Sequence, residues 1–200
     1  MFELFHQDSF SHCGNFLPKV VNVPMELYQS IKGNYFVGYA DQLSFGNGTS
    51  AWARLYNPHD SDVNLYVNVW TVADISESPF RAQIWFNSIP SGTPIDSDLV
   101  TTSNTALTPI PQPKIKLQLS SEVTEDPKSG IKAFVRRGEP GTTLVSEENG
   151  KFIFPPGGNF LIFLSNPEAP EKKASGRIAF GWWEEKLSNP IHNFTANQPF

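Results

Sequence analysis

Cysteine is nearly absent. The 200 residues contain one, Cys13, so no disulfide can close within the chain. Histidine is scarce, with four residues, and charged residues make up only 18%. The formal net charge of −5 argues against the basic footprint that nucleic acid or an anionic membrane requires. Long apolar runs are missing as well: "NFLIFLSNP" (159–167) falls far short of the roughly 20 residues of a spanning helix. The opening "MFELFHQDSF" has no basic segment followed by an apolar one, so no secretory signal is legible. There is no Walker loop, dinucleotide fingerprint, Cys-x-x-Cys, His-Glu-x-x-His or Gly-x-Ser-x-Gly. No cofactor is therefore expected, and the reading is non-enzymatic. Helical periodicity is almost missing too.

Aromatics are plentiful, at 13% with 16 Phe and 5 Trp, and 14 Gly and 17 Pro are spread as punctuation. This is the make-up of many short strands joined by tight turns. A chain of this size can bury roughly 70% of its unfolded surface in one core. Residues 1–23 read as an extended arm, apolar but without helical period. Residues 24–200 read as a single domain. In "VPMELYQSIKG" Pro24 suits the start of one short helix, Ile31 lies one turn beyond Leu27 and Tyr28, and Gly33 stops it.

From Asn34 the period is two. Strands are expected at 34–40, 50–58, 62–75, 79–88, 114–121, 130–138, 142–146, 150–154, 159–165 and 176–185, about nine in all. In "DVNLYVNVWTVADI" Val63, Leu65, Val67, Val69 and Thr71 share a core face, opposite Asn64, Tyr66, Asn68 and Trp70. In "PFRAQIWFNS" Phe80, Ala82, Ile84 and Phe86 point inward, and Trp85 outward. Residues 89–113 read as an extended connection. The fold class is all-β: an antiparallel jelly roll or β-sandwich with an N-terminal arm and one short helix.

The candidate chemistry is sparse. His6, His12 and Cys13 lack a recognisable zinc spacing, and neighbours on an extended segment point apart, so His12 does not reach Cys13 as its base. No metal is expected. Glu184 and Glu185, beside Trp182 and Trp183, fall on opposite faces of a strand and so cannot flank one glycosidic bond. The two Asp-Ser-Asp stretches, Asp60/Asp62 and Asp96/Asp98, read as turn formers rather than calcium loops. Tyr66, Trp70, Trp85 and Trp183 are possible contact aromatics: a second buried layer, a subunit contact or a sugar platform.

The arm carries Phe2, Leu4, Phe5, Phe10, Phe16 and Leu17 around Cys13. Fully extended, residues 1–20 reach about 66 Å, at roughly 3.3 Å per residue. Such an arm either folds back on its own domain or adds to a neighbour's sheet edge. The segments "LSFGNGTSAWARLYNP", "SESPFRAQIWFNS", "GKFIFPPGGNFLIFLSNP" and "GRIAFGWWEE" resemble an uncharacterised β-rich family of spore-forming bacteria. In layout, arm then jelly roll, the chain is similar to endospore-appendage (Ena-type) pilus subunits. That resemblance implies a structural, self-assembling appendage subunit, joined head-to-tail through arm residues Phe2, Leu4, Phe5, Phe10, Cys13, Phe16 and Leu17. Its partners would be other copies of itself and a spore-surface anchor protein. It would be made in the mother cell and placed on the spore surface or exosporium, with a cytoplasmic location as the alternative. The family's connector cysteine would correspond to Cys13, although a body without cysteine offers it no partner. The alternative function is a carbohydrate- or surface-binding module of the spore or cell envelope.

Overall fold

A computed structural model describes residues 21–74 and 77–187. After the helix α1 (Met25–Ile31) come eleven strands: β1 (Tyr35–Gly46), β2 (Ser50–Tyr56), β3 (Val63–Asp74), β4 (Phe80–Phe86), β5 (Ile95–Asp96), β6 (Val100–Thr102), β7 (Lys116–Val123), β8 (Ile131–Gly138), β9 (Thr143–Phe154), β10 (Asn159–Ser165) and β11 (Lys173–Lys186). They form two antiparallel sheets, ordered β6-β1-β11-β3-β9 and β5-β7-β2-β10-β4-β8. The fold is an all-β sandwich, as the alternation predicts.

The connectivity is that of one long hairpin rolled up. β1 pairs with β11, β2 with β10, β3 with β9 and β4 with β8. Along β1–β4 and again along β8–β11 successive strands alternate between the sheets, which is the jelly-roll wrapping. The segment between β4 and β8 supplies β5, β6 and β7, which extend the sheets beside β1 and β2.

Three expectations are refined. There are eleven strands rather than about nine. Residues 142–146 and 150–154 belong to one strand, β9, whose pairing with β3 slips between Val67 and Val69. The proline-rich 89–113 stretch holds β5 and β6. The helix lies where Pro24 and Gly33 place it, but its apolar residues Met25, Leu27, Tyr28 and Ile31 are exposed and only Gln29 is buried.

Between the sheets Leu43, Phe45, Leu55, Leu65, Ile84, Phe160, Ile162 and Trp182 are fully or almost fully buried. Phe86 anchors a ring cluster, with centroids 4.9 Å from Phe152, 5.3 Å from Phe154 and 6.0 Å from Phe160. Rings at this spacing add to the area they bury. One corner of the sandwich is tied by Asn57, whose side-chain amide donates to the carbonyls of Val63 (2.8 Å) and Phe154 (3.0 Å).

Candidate functional site

Phe2, Leu4, Phe5, Phe10, Cys13, Phe16 and Leu17, with His6 and His12, lie outside the described residues. Among the described residues no three His, Cys, Asp or Glu side chains gather as a metal-holding group.

Trp70 is corrected. Strict alternation places it opposite the core, yet it is 2% exposed and belongs to the central cluster. The reason is an irregularity in β3. Its pairing slips beside Gly181/Trp182 of β11 and again between Val67 and Val69 opposite β9. Past the slip the facing inverts, so Trp70 and Val72 point inward while Val69 and Thr71 line the outer face. The Trp70 indole N–H donates to Glu148 Oε1 at 3.0 Å.

Trp183 and Tyr66 do face outward and stack on each other, centroids 5.4 Å apart and 8° from parallel. Trp183 is nonetheless buried. Its ring lies against Gly150, where a Cβ would collide with the indole. This pair is a second buried layer. Trp85 is half-buried on the other sheet's outer face, packed on Trp52, Val123, Leu161 and Phe163. The Lys132 ammonium sits 4.8 Å from its centroid.

The outer face of the β1–β11–β3 sheet carries an apolar trough of about 470 Å³. Two cross-strand rows form it: Val37–Gly181–Val69 and Tyr39–Ala179–Thr71. Small residues of β11 make the floor, and larger ones on β1 and β3 make the walls. Gly181 has to be glycine, because a Cβ there would strike the Tyr35 hydroxyl. Leu99 and Val100 add to the rim, and the Leu99 carbonyl accepts the Tyr39 N–H at 3.1 Å. Among the described residues lining the trough, Asp98 is the one that carries charge. Beside it the Arg177 guanidinium lies 5.6 Å from the Tyr39 ring centroid and donates to Asp41 at 2.9 Å.

A second, polar cleft of about 740 Å³ lies between α1 and the end of β11, lined among others by Tyr28, Lys32, Lys114, Glu184 and Glu185. The two carboxylates diverge as the alternation predicts. Glu185 accepts from the Gln29 amide at 2.5 Å, which fastens the helix to the body. Glu184 is buried and accepts from the backbone N–H groups of Lys114 and Ile115 (both 3.0 Å) and from the Trp182 indole (3.2 Å). Burial pushes the Glu184 carboxyl above its ordinary range, and the N–H donors of Lys114, Ile115 and Trp182 oppose that rise.

A raised folded-state pKa means that the folded chain holds this proton more tightly than the unfolded chain does. The associated stability is complete below the ordinary carboxylate pKa and falls as pH rises through the folded value. Glu184→Gln should therefore flatten that part of the decline in melting temperature from acid to neutral pH. An unchanged pH profile in thermal melts would show that Glu184 does not contribute it.

Strand order and pairing define the class: a jelly-roll β-sandwich with an apolar trough on one outer face. Residues 11–189 match the model of a family of unknown function, DUF6143. The chain belongs to that family, and the match runs from residue 11. No curated protein and no solved structure matches the chain.

Proposed function

We propose that this protein is a non-enzymatic, self-assembling subunit, joined head-to-tail by its N-terminal arm into a fibre on a bacterial spore surface. One observation carries the reading. Among the described residues the four strand pairs and their insert fill the interior of both sheets with residues 35–186, so neither sheet relies on residues 1–20 for a central strand. An apolar, aromatic segment of that length then has its burial to find elsewhere. A contact between one copy's arm and the next copy's body is heterologous, and it propagates as an open fibre unless its rotation closes a ring. The spore setting and an anchor protein as second partner rest on the resemblance in layout alone.

Deleting residues 1–20 should leave a folded monomer, whereas the full chain should form fibres in negative-stain microscopy and light scattering. Cys13→Ser should still assemble, with or without reductant, since a single thiol per chain has no cysteine in the body to meet. Multimers of the truncated chain identical to those of the full chain would remove the arm from the contact. The alternative, a carbohydrate-binding module, would rest on Trp85, since Trp70 and Trp183 are buried. Sugar-dependent tryptophan fluorescence that disappears in Trp85→Ala would favour it.

A further inference from the structure

Strand addition at a sheet edge is the expected mode for an extended arm, and the edges here are unsuited to it. Among the described residues the four edge strands are β6, β9, β5 and β8. β5 has two residues and β6 three. β9 is broken by its register slip beside β3 and carries Glu147, Glu148 and Lys151. β8 carries Lys132, Arg136 and Arg137. Short length, irregular pairing and charge are the features that keep an edge from recruiting another strand. The faces differ from the edges: the trough on the β1–β11–β3 face is apolar, almost free of charge and open.

Resting on the assembly reading above, we propose that the trough is the acceptor for the arm of a second copy, held by side chains in the groove rather than by backbone pairing at an edge. The chemistry matches on both sides. Residues 1–20 hold Phe2, Phe5, Phe10 and Phe16 but only Glu3, Asp8 and Lys19 as charged groups. The trough offers Val37, Tyr39, Val69 and Leu99 around a floor of Gly181 and Ala179. Ala179 keeps the floor low between these walls and leaves room for rings, while the Tyr35 hydroxyl and Val69 take the place a Cβ on Gly181 would occupy. The head-to-tail reading makes the occupant a second copy, since a reach of about 66 Å for residues 1–20 would bring the arm to either trough. Residues 21–24, the last before α1, are exposed and line no part of the trough. α1 itself is fastened at the far end of β11, through Gln29 and Glu185.

The test places a charge on each candidate surface of the full-length chain. Val37 is 38% exposed and Val135, on the β8 edge, is 50% exposed, so a lysine at either position reaches water and should leave the fold intact. Val37→Lys should raise the concentration needed for assembly at least tenfold, while Val135→Lys should assemble like wild type. Should Val37→Lys lower the melting temperature, Thr71→Lys on the opposite wall repeats the measurement. Val37→Cys then tells a neighbour's arm from the chain's own, because Cys13 is the one native thiol. Under oxidation a neighbour's arm gives a ladder beyond dimers on non-reducing gels, and the chain's own arm gives a faster-migrating monomer. Wild-type assembly by a folded Val37→Lys chain overturns the trough but leaves arm-driven assembly standing. Loss of assembly in Val135→Lys alone assigns the contact to the edge. A looped monomer overturns the second copy. Failure of the wild-type chain to assemble overturns the assembly reading itself, and this inference with it.

Discussion

Ile162→Asp should yield no folded protein. Ile162 is 0% exposed at the centre of β10, opposite Ala53 of β2 and Ile84 of β4. A carboxylate buried there without a partner costs several kcal/mol, against a total stability of about 5–15 kcal/mol for an ordinary domain. Phe154→Asp, within the ring cluster around Phe86, should behave alike. Ile162→Val removes one methylene and should cost only about 1 kcal/mol. It therefore separates loss of packing from burial of charge. Circular dichroism melts of the three variants provide the check. Since β10 is buried on both faces, a wild-type melt for Ile162→Asp would mean that position 162 is not buried in the folded chain.

Gly46→Ala should be the most costly removal of a glycine at the β1–β2 turn, on the order of 2–5 kcal/mol. Gly46 has φ +84°, and a Cβ on it would fall on the carbonyl oxygen of Lys172. That neighbour is backbone, just before β11 begins its pairing with β1, so it cannot swing aside as a side chain would. Gly48, two residues on, has φ +78° but open space around it. Gly48→Ala should cost only the conformational penalty, about 1 kcal/mol. Urea midpoints for the pair check this, and equal shifts would remove the carbonyl collision from the account.

Much of the architecture is legible in period two. The alternation in "PFRAQIWFNS" and "GRIAFGWWEE" assigns the faces of β4 and of the end of β11 correctly, because the residue skipped in each pairing lies on the partner strand, Ala133 of β8 and Asn68 of β3. It fails at Trp70, since a slip in pairing inserts a residue and inverts every face beyond it, and no local pattern records that insertion. The same slip divides β9 into two apparent strands. The helix illustrates the opposite hazard. Leu27, Tyr28 and Ile31 show helical spacing, but the residue that fastens α1 is Gln29, through a carboxylate 156 positions away. The trough was invisible for a related reason. Val37, Gly181 and Val69 lie on three strands far apart in sequence, and their alignment is a matter of register. The exposed side of "NYFVGYA", opposite Phe36 and Ala40, was its one available signal.

The pairing of β1 with β11 has a consequence for biosynthesis. Among the described residues the strand synthesised last, β11, occupies the middle of its sheet, between β1 and β3. A ribosome-bound chain therefore exposes its N-terminal arm long before it has a body, because closing that sheet waits for residue 186. Contacts this distant in sequence form slowly. If the body is what receives the arm, a chain that has not yet delivered residue 186 has no finished sheet to offer it.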